Sequence, residues 1–239
     1  MFFFISPPFG NYINLPNTIC IEGSYTLEPR GGLIIQILKT FRYSFKHEGW
    51  INKIGLRNKG IDYAIKNYNG NNIVSIAILK ESDIDALLKK IPKNMNLEIN
   101  ISCPNVDKKL ISNNVNKFIN NQRNWCILKL SPTTSIQEID RHYKNGFRQF
   151  HCSNTLPIEG RGGLSGTSLI PYTNSLIQKI RNKYPDTKII AGGGVRNINT
   201  YNNYIKNGAN YVSVSTLCLN PLLFFNLYRN VYNQHYKQK

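Results

Sequence analysis

The chain is poor in cysteine and poor in acid. Its 239 residues include 5 cysteines, an odd number, with no Cys-x-x-Cys and no pair of histidines at ligand spacing. That excludes a disulfide framework, argues against a zinc site, and points to a reducing compartment. Against 30 Lys and Arg stand only 13 Asp and Glu, a formal charge of +17. Such a balance favours anionic partners: nucleic acid, phosphorylated cofactors or an acidic membrane surface. About one residue in seven is Asn, well above ordinary usage; Ile, Tyr and Lys are abundant too. All four have A/T-rich codons, so codon bias is a simpler source of the charge than selection for RNA or DNA binding. Long hydrophobic runs are also missing. The apolar residues 1–5 follow no basic segment and are cut short by Pro7 and Pro8, and residues 217–227 are interrupted by Asn220-Pro221. Neither stretch reads as a signal peptide or a membrane span, so the expectation is a cytosolic protein with no membrane attachment. No linker, low-complexity tract or charge block divides the chain, which reads as one domain over residues 1–239, long enough to bury its own core.

What is present is a βα alternation. From residue 72 onward, strand-like runs at 73–79, 97–101, 125–130, 148–152, 188–190 and 211–215 alternate with helical patterns at 81–91, 109–121, 135–144, 171–183, 198–206 and 221–236. A glycine-rich loop is expected at 160–166, and Gly208 is placed to end a helix. Apolar runs at 2–5 and 18–21 bring the strand count to eight, the number that closes a TIM (β/α)8 barrel. Residues 10–17 are too short for a full helix, so the first βα unit is shortened, and residues 31–54 read as an elaborated loop or hairpin.

In such a barrel the chemistry collects where strands end at their C-termini, and those ends are polar and glycine-rich here. They read Asn100-Ile-Ser-Cys-Pro-Asn105, Lys129-Leu130, Cys152-Ser-Asn-Thr155, Gly192-Gly-Gly194 and Ser213-Val-Ser-Thr216. The last pair suggests phosphate: Gly192, Gly193 and Gly194 would expose backbone N–H groups beside Ser215 and Thr216, although glycine turns often serve sharp geometry alone. Lys129, inside an apolar strand, is either a solvated edge lysine or a cation facing an anionic cofactor. Cys103 is the candidate acid/base, whereas Cys20, Cys126 and Cys218 fit the role of small buried hydrophobes. Nearby Asn side chains offer donors and acceptors to an amide-like substrate. His151, alone on a strand, reads as a satisfied structural residue.

These segments resemble the dihydroorotate dehydrogenase family in its cysteine-base form. Asn100-Ile-Ser-Cys-Pro-Asn105 is similar to that family's active-site segment, and four more segments follow in the family's order. Gly55-Leu-Arg-Asn-Lys-Gly60 is similar to its substrate loop and Leu128-Lys-Leu130 to its flavin-contacting lysine strand. Ser153-Asn-Thr155 with Gly162-Gly-Leu-Ser-Gly166 is similar to its substrate Asn pair and next flavin loop, and Ala191-Gly-Gly-Gly-Val195 with Ser215-Thr216 to its flavin phosphate site. The resemblance implies FMN held by Lys129, Gly166, Gly192, Gly193, Gly194, Ser215 and Thr216. It implies Cys103 as base, and Asn58, Asn100, Asn105, Asn154 and Thr155 around a dihydropyrimidine substrate oxidised in pyrimidine biosynthesis. A soluble electron acceptor is implied and a homodimer left open. Two departures stand out: where family members carry a second flavin-contacting lysine this chain reads Phe9-Gly-Asn11 and Glu22-Gly-Ser24, and the first barrel helix is missing. A flavin-dependent tRNA dihydrouridine synthase, whose phosphate-rich partner would suit the charge, and a catalytically degenerate barrel are the alternatives.

Overall fold

Short β-branched segments, each followed by a turn or helix that returns the chain, leave parallel strands side by side. The structure, a computed structural model, describes residues 3–101 and 114–236. In chain order the elements are β1 (Phe3–Ile5), β2 (Thr18–Tyr25), α1 (Leu33–Thr40), β3 (Arg42–Ser44), β4 (Gly49–Asn52), α2 (Ile61–Lys66), β5 (Ile73–Ala77), α3 (Ser82–Lys90) and β6 (Leu97–Asn100). Then follow β7 (Cys126–Leu130), α4 (Ile136–Lys144), β8 (Gln149–Cys152), β9 (Leu156–Ile158), β10 (Gly162–Gly166), α5 (Ile170–Lys183), β11 (Lys188–Gly192), α6 (Ile198–Lys206), β12 (Tyr211–Val214) and α7 (Pro221–Tyr236). Eight strands close a parallel barrel in the order β1-β12-β11-β8-β7-β6-β5-β2, the TIM-barrel architecture the alternation implies.

Local chemistry sets the helix ends. Ser135 caps α4: its Oγ accepts the Glu138 N–H while the Glu138 carboxylate accepts the Ser135 N–H, at 3.2 and 2.8 Å. Asn197 caps α6 through the Thr200 N–H, and Gly208, at φ 106°, ends it. Between β1 and β2 there is a single 3-10 turn, Phe9–Asn11. Gly10 lets it sit directly on the strands, since a Cβ there would lie 2.2 Å from Ile21 O and 2.5 Å from Ile5 O.

Packing divides into two apolar regions. Leu97, Ile99, Leu128, Leu130, Phe150, Ile189, Val212 and Val214 face outward and bury against the helices. The alternate residues Phe4, Ile21, Ile73, Ile127 and Ile190 form a separate cluster, flanked by Ile19, Trp125 and Tyr211. These side chains plug the barrel interior near its N-terminal end, as the two-residue period of a strand requires. The rings of Phe4, Trp125 and Tyr211 meet edge to face at 5.4, 5.6 and 5.7 Å, each pair worth about 0.5–1.5 kcal/mol beyond its burial.

Two segments differ from the sequence-based expectation. Residues 160–166 are not a loop throughout: β10 lies in an antiparallel sheet of order β3-β4-β10-β9 that flanks the barrel mouth. Its glycines are needed for that approach, because a Cβ on Gly162 would lie 2.1 Å from Asn52 O and one on Gly49 2.1 Å from Ser165 O. The elaborated loop or hairpin expected at 31–54 is present as helix α1 followed by the antiparallel hairpin of β3 and β4, which joins the same sheet. The helix expected at 109–121 is, within the described residues, a 3-10 turn at Val115–Phe118 that buries Val115 and Phe118 on one edge; residues 109–113 lie outside them.

Candidate active site

Two residues beyond each plug side chain the barrel interior changes character. Ile73 is followed by Ser75, Ile127 by Lys129, Ile190 by Gly192 and Tyr211 by Ser213, and Glu98 and His151 join them from β6 and β8. Glu98 is fully buried and forms the hub. Its Oε1 accepts from Ser75 Oγ at 2.9 Å and meets Lys129 Nζ at 3.3 Å, while its Oε2 lies 2.5 Å from His151 Nδ1. His151 Nε2 is in turn 2.7 Å from Ser213 Oγ. Burial alone would raise the Glu98 carboxyl. The Lys129 charge, His151 and the Ser75 hydroxyl outweigh it and hold the group at about 2. Burial pushes the His151 imidazole down, Glu98 opposing and Lys129 reinforcing the shift. The layer is therefore a Glu98–Lys129 ion pair with a neutral imidazole beside it, so Lys129 is not a solvated edge lysine.

Above this layer opens a cavity of about 770 Å³, within the size range of small-molecule sites. Lys129, His151 and Ser213 form part of its lining, together with Asn100, Asn154, Thr155, Gly193, Gly194, Ser215 and Thr216. Asn100 links two strand ends, its Nδ2 donating to Ser24 Oγ at 3.1 Å and its Oδ1 accepting from Asn154 Nδ2 at 3.0 Å. Gly193 and Gly194, at φ 96° and 73°, adopt a conformation that favours glycine. They also pack tightly, with would-be Cβ atoms 2.9 Å from Leu169 Cβ and 2.8 Å from Gly166 O. Ser215 Oγ donates to Pro7 O at 2.9 Å, tying the turn at Thr216–Leu219 to the end of β1.

Some expected site residues stand elsewhere. Gly192 is absent from the cavity lining; a Cβ on it would lie 2.2 Å from Ser213 Oγ and 3.2 Å from His151 Nε2, so its bare face makes room for that hydrogen bond. Gly166 backs Gly194 rather than lining the cavity. Asn58 does line it, but its amide binds the surrounding loops: Oδ1 accepts the Thr26 and Gly60 N–H groups and Nδ2 donates to Leu56 O and Thr26 Oγ1. Contact with a ligand through Asn58 would require one of these bonds to open. Cys103 and Asn105 lie outside the described residues. Where a second lysine was looked for, Asn11 Oδ1 accepts the Gly23 N–H at 2.9 Å and Ser24 Oγ pairs with Ser75 Oγ at 2.9 Å.

Four cavity or floor residues escaped the sequence reading. Glu98 sits two places before Asn100, hence on the same strand face, and a carboxylate in an apolar strand of an acid-poor chain was a usable signal. Ser213 opened a strand end that read as polar, but only Ser215 and Thr216 were singled out there. Ser6 Oγ and Arg57 Nε are buried with no hydrogen-bond partner among the described residues. Both residues line the cavity, and buried polar atoms of this kind await a partner. Cys20 and Cys126 behave as expected, with burial pushing their thiols up to about 11 and about 12.

No family model matches the sequence. Curated relatives do. The chain is 31% identical to the catalytic subunit of dihydroorotate dehydrogenase B (NAD(+)) from Staphylococcus carnosus, over 74% of this chain and 69% of that one. It is 31% identical to the subunit of the same name from Desulforamulus reducens, over 85% and 76%. The chain belongs to the dihydroorotate dehydrogenase family. A putative dihydroorotate dehydrogenase A (fumarate) from Streptococcus agalactiae is 26% identical over 73% of this chain and 69% of that one. Among solved structures, the dihydroorotate dehydrogenase of Eimeria tenella in complex with ferulenol has the same fold, with a TM-score of 0.69 at 19% identity over 91% of this chain and 75% of that one. Among the described residues no helix is long and apolar enough to cross a membrane.

Proposed function

We propose that the cavity holds FMN and a dihydropyrimidine, and that the chain oxidises dihydroorotate to orotate. Membership of the family makes it a flavin-dependent oxidoreductase acting on a CH–CH bond. The observation that carries the finer reading is convergence: a buried cation, paired Asn side chains, a glycine turn and a hydroxyl-bearing turn from five separate strand ends meet at one cavity. The residues fit a phosphorylated ring cofactor. Gly193, Gly194, Ser215 and Thr216 would hold its phosphate, Ser6 Oγ offers an unspent polar atom, and Lys129 would bring a cation to it. When bound, the flavin supplies a two-electron acceptor.

The chain's own residues do the rest. Asn100 and Asn154, already held against each other, orient the substrate ring together with Thr155 and Asn105. Asn58 steadies the loop of which Arg57 is part, and Arg57 brings a cation to meet the substrate carboxylate. Cys103 takes the proton from one ring carbon. Lys129 is held in place by its ion pair with Glu98. The acceptor that completes turnover is soluble, and residues 1–239 act as one domain.

The test is the visible spectrum of the purified protein with added FMN, before and after dihydroorotate is supplied without oxygen. Flavin bands bleached by dihydroorotate are expected, and Cys103→Ser should lower turnover by about 10²–10⁴-fold with flavin retained. Bound flavin that dihydroorotate fails to bleach would overturn the substrate, and a protein that ignores FMN would overturn the cofactor.

A further inference from the structure

The buried layer beneath the cavity has a directed hydrogen-bond order. A carboxylate only accepts, so the His151 nitrogen facing Glu98, Nδ1, carries the proton. With the imidazole neutral, Nε2 is bare, and the Ser213 hydroxyl 2.7 Å away must donate to it. Ser213 lines the cavity, yet in this state it turns only lone pairs toward a ligand. A second proton on His151 reverses the bond: Nε2–H donates to Ser213, whose own hydrogen is released toward the cavity. Gly192 leaves the room that this contact needs.

The charges of the layer give that reversal a purpose. Lys129 is matched by Glu98 at 3.3 Å, so the described part of the floor is neutral at rest. Negative charge created above it needs a further positive charge. The charged groups acting on His151 are Glu98 from β6 and Lys129 from β7, of opposite sign, while β11 and β12 present only Gly192 and Ser213. His151 is the group left to respond.

We propose that Glu98, His151 and Ser213 form a positioning relay: negative charge placed above Lys129 draws one solvent proton onto His151, and the Ser213 hydroxyl turns from His151 to donate to that charge. No bond between heavy atoms forms or breaks, and one proton is taken up. The inference rests on the cofactor reading above, because a bound flavin that gains two electrons is the source of the charge.

The experiment uses full-length protein with isotope-labelled histidine, loaded with FMN and then reduced with dithionite rather than substrate. Imidazole resonances of the four histidines are assigned by single His→Asn exchanges. His151 should be neutral and Nδ1-protonated with oxidised FMN at pH 7, and doubly protonated after reduction. The FMN midpoint potential should fall with pH as two protons per two electrons in the wild type and as one in His151→Asn, each proton contributing about 30 mV per pH unit. Ser213→Ala should keep the proton uptake but weaken the preference for reduced over oxidised FMN roughly tenfold or more. An imidazole that stays neutral while bound FMN is reduced overturns the relay, and needs no variant to fold. A potential slope unchanged in His151→Asn overturns it as well. A protein with no flavin spectrum overturns the cofactor reading and the relay together, a result distinct from either.

Discussion

The two ends of the barrel interior are built from the same strands and have opposite characters. Toward the N-terminal end, Phe4, Ile21, Ile73, Ile127 and Ile190 close a plug without polar atoms. Two residues further along, the same walls carry Ser75, Glu98, Lys129, His151 and Ser213, all buried and joined by hydrogen bonds. A strand lets a side chain return to the same face every second residue, so one strand can serve the core at one position and the site at the next. The plug stabilises whatever sits above it. The polar layer contributes little net stability, because a buried ion pair gains back roughly what its desolvation costs. Its worth lies in holding a cation and a neutral imidazole in fixed places beneath a cavity.

Removing one side of the buried pair should therefore have the largest effect. Glu98→Gln leaves Lys129 without its buried counter-charge, and a loss of about 3–5 kcal/mol is expected, read from urea unfolding at pH 7. The pH dependence separates charge from shape. The Glu98 carboxyl titrates at about 2 in the fold against an ordinary value of 4.5, so its contribution is fully present above pH 4.5 and is lost as the pH falls toward 2. The difference between wild type and variant should shrink over that window. A difference that stayed constant down to pH 2 would mean the variant fails through packing, and the contrast between plug and layer would lose its electrostatic basis.

A smaller effect should follow from crowding the layer without touching its charges. In Gly192→Ala the new Cβ would sit 2.2 Å from Ser213 Oγ, and the serine escapes only by leaving His151. We expect a loss of about 1–3 kcal/mol from the broken buried hydrogen bond, with the plug unaffected. The check is the nitrogen resonance of His151 Nε2, which should move toward that of an unbonded imidazole nitrogen in the variant while the Trp125 indole N–H, at the edge of the plug, keeps its wild-type shift. An unchanged Nε2 resonance would show that Gly192 serves the strand backbone alone.

The plug was far easier to read in the sequence than the layer. Alternating β-branched residues announce strands through a two-residue period, and eight such runs imply closure, so the barrel and most helix boundaries were legible from pattern alone. Motif residues at strand ends, among them Asn100, Asn154, Thr155 and Lys129, were legible because polar residues stand out against apolar strands. Glu98 was marked only as a carboxylate in an apolar strand and Ser213 only as part of a polar strand end, because what they do depends on which residues of other strands share their height in the barrel, and register is not written locally. His151 was read as satisfied in structure; it is, but by Glu98 and Ser213 at the cavity floor, which a lone residue on one strand does not reveal. β10 was misread for a related reason. Glycines that look like a loop in isolation are the ones that let a strand lie within van der Waals reach of β4.

The least disruptive change sharpens the comparison most. Ile21→Val removes one methylene group from the plug, two strands and two residues away from Glu98, and should cost about 0.5–1.5 kcal/mol with FMN affinity unaltered. If plug and layer are separate in function, combining it with Glu98→Gln should give losses that add within about 0.3–0.5 kcal/mol. Denaturant midpoints of the two single variants and the double variant decide the matter. A coupling clearly above that range, or a shift in FMN affinity from Ile21→Val alone, would mean that the floor of the site is tuned by the packing beneath it. The barrel interior would then be one continuous unit in which a methylene near the bottom is felt by the charges above.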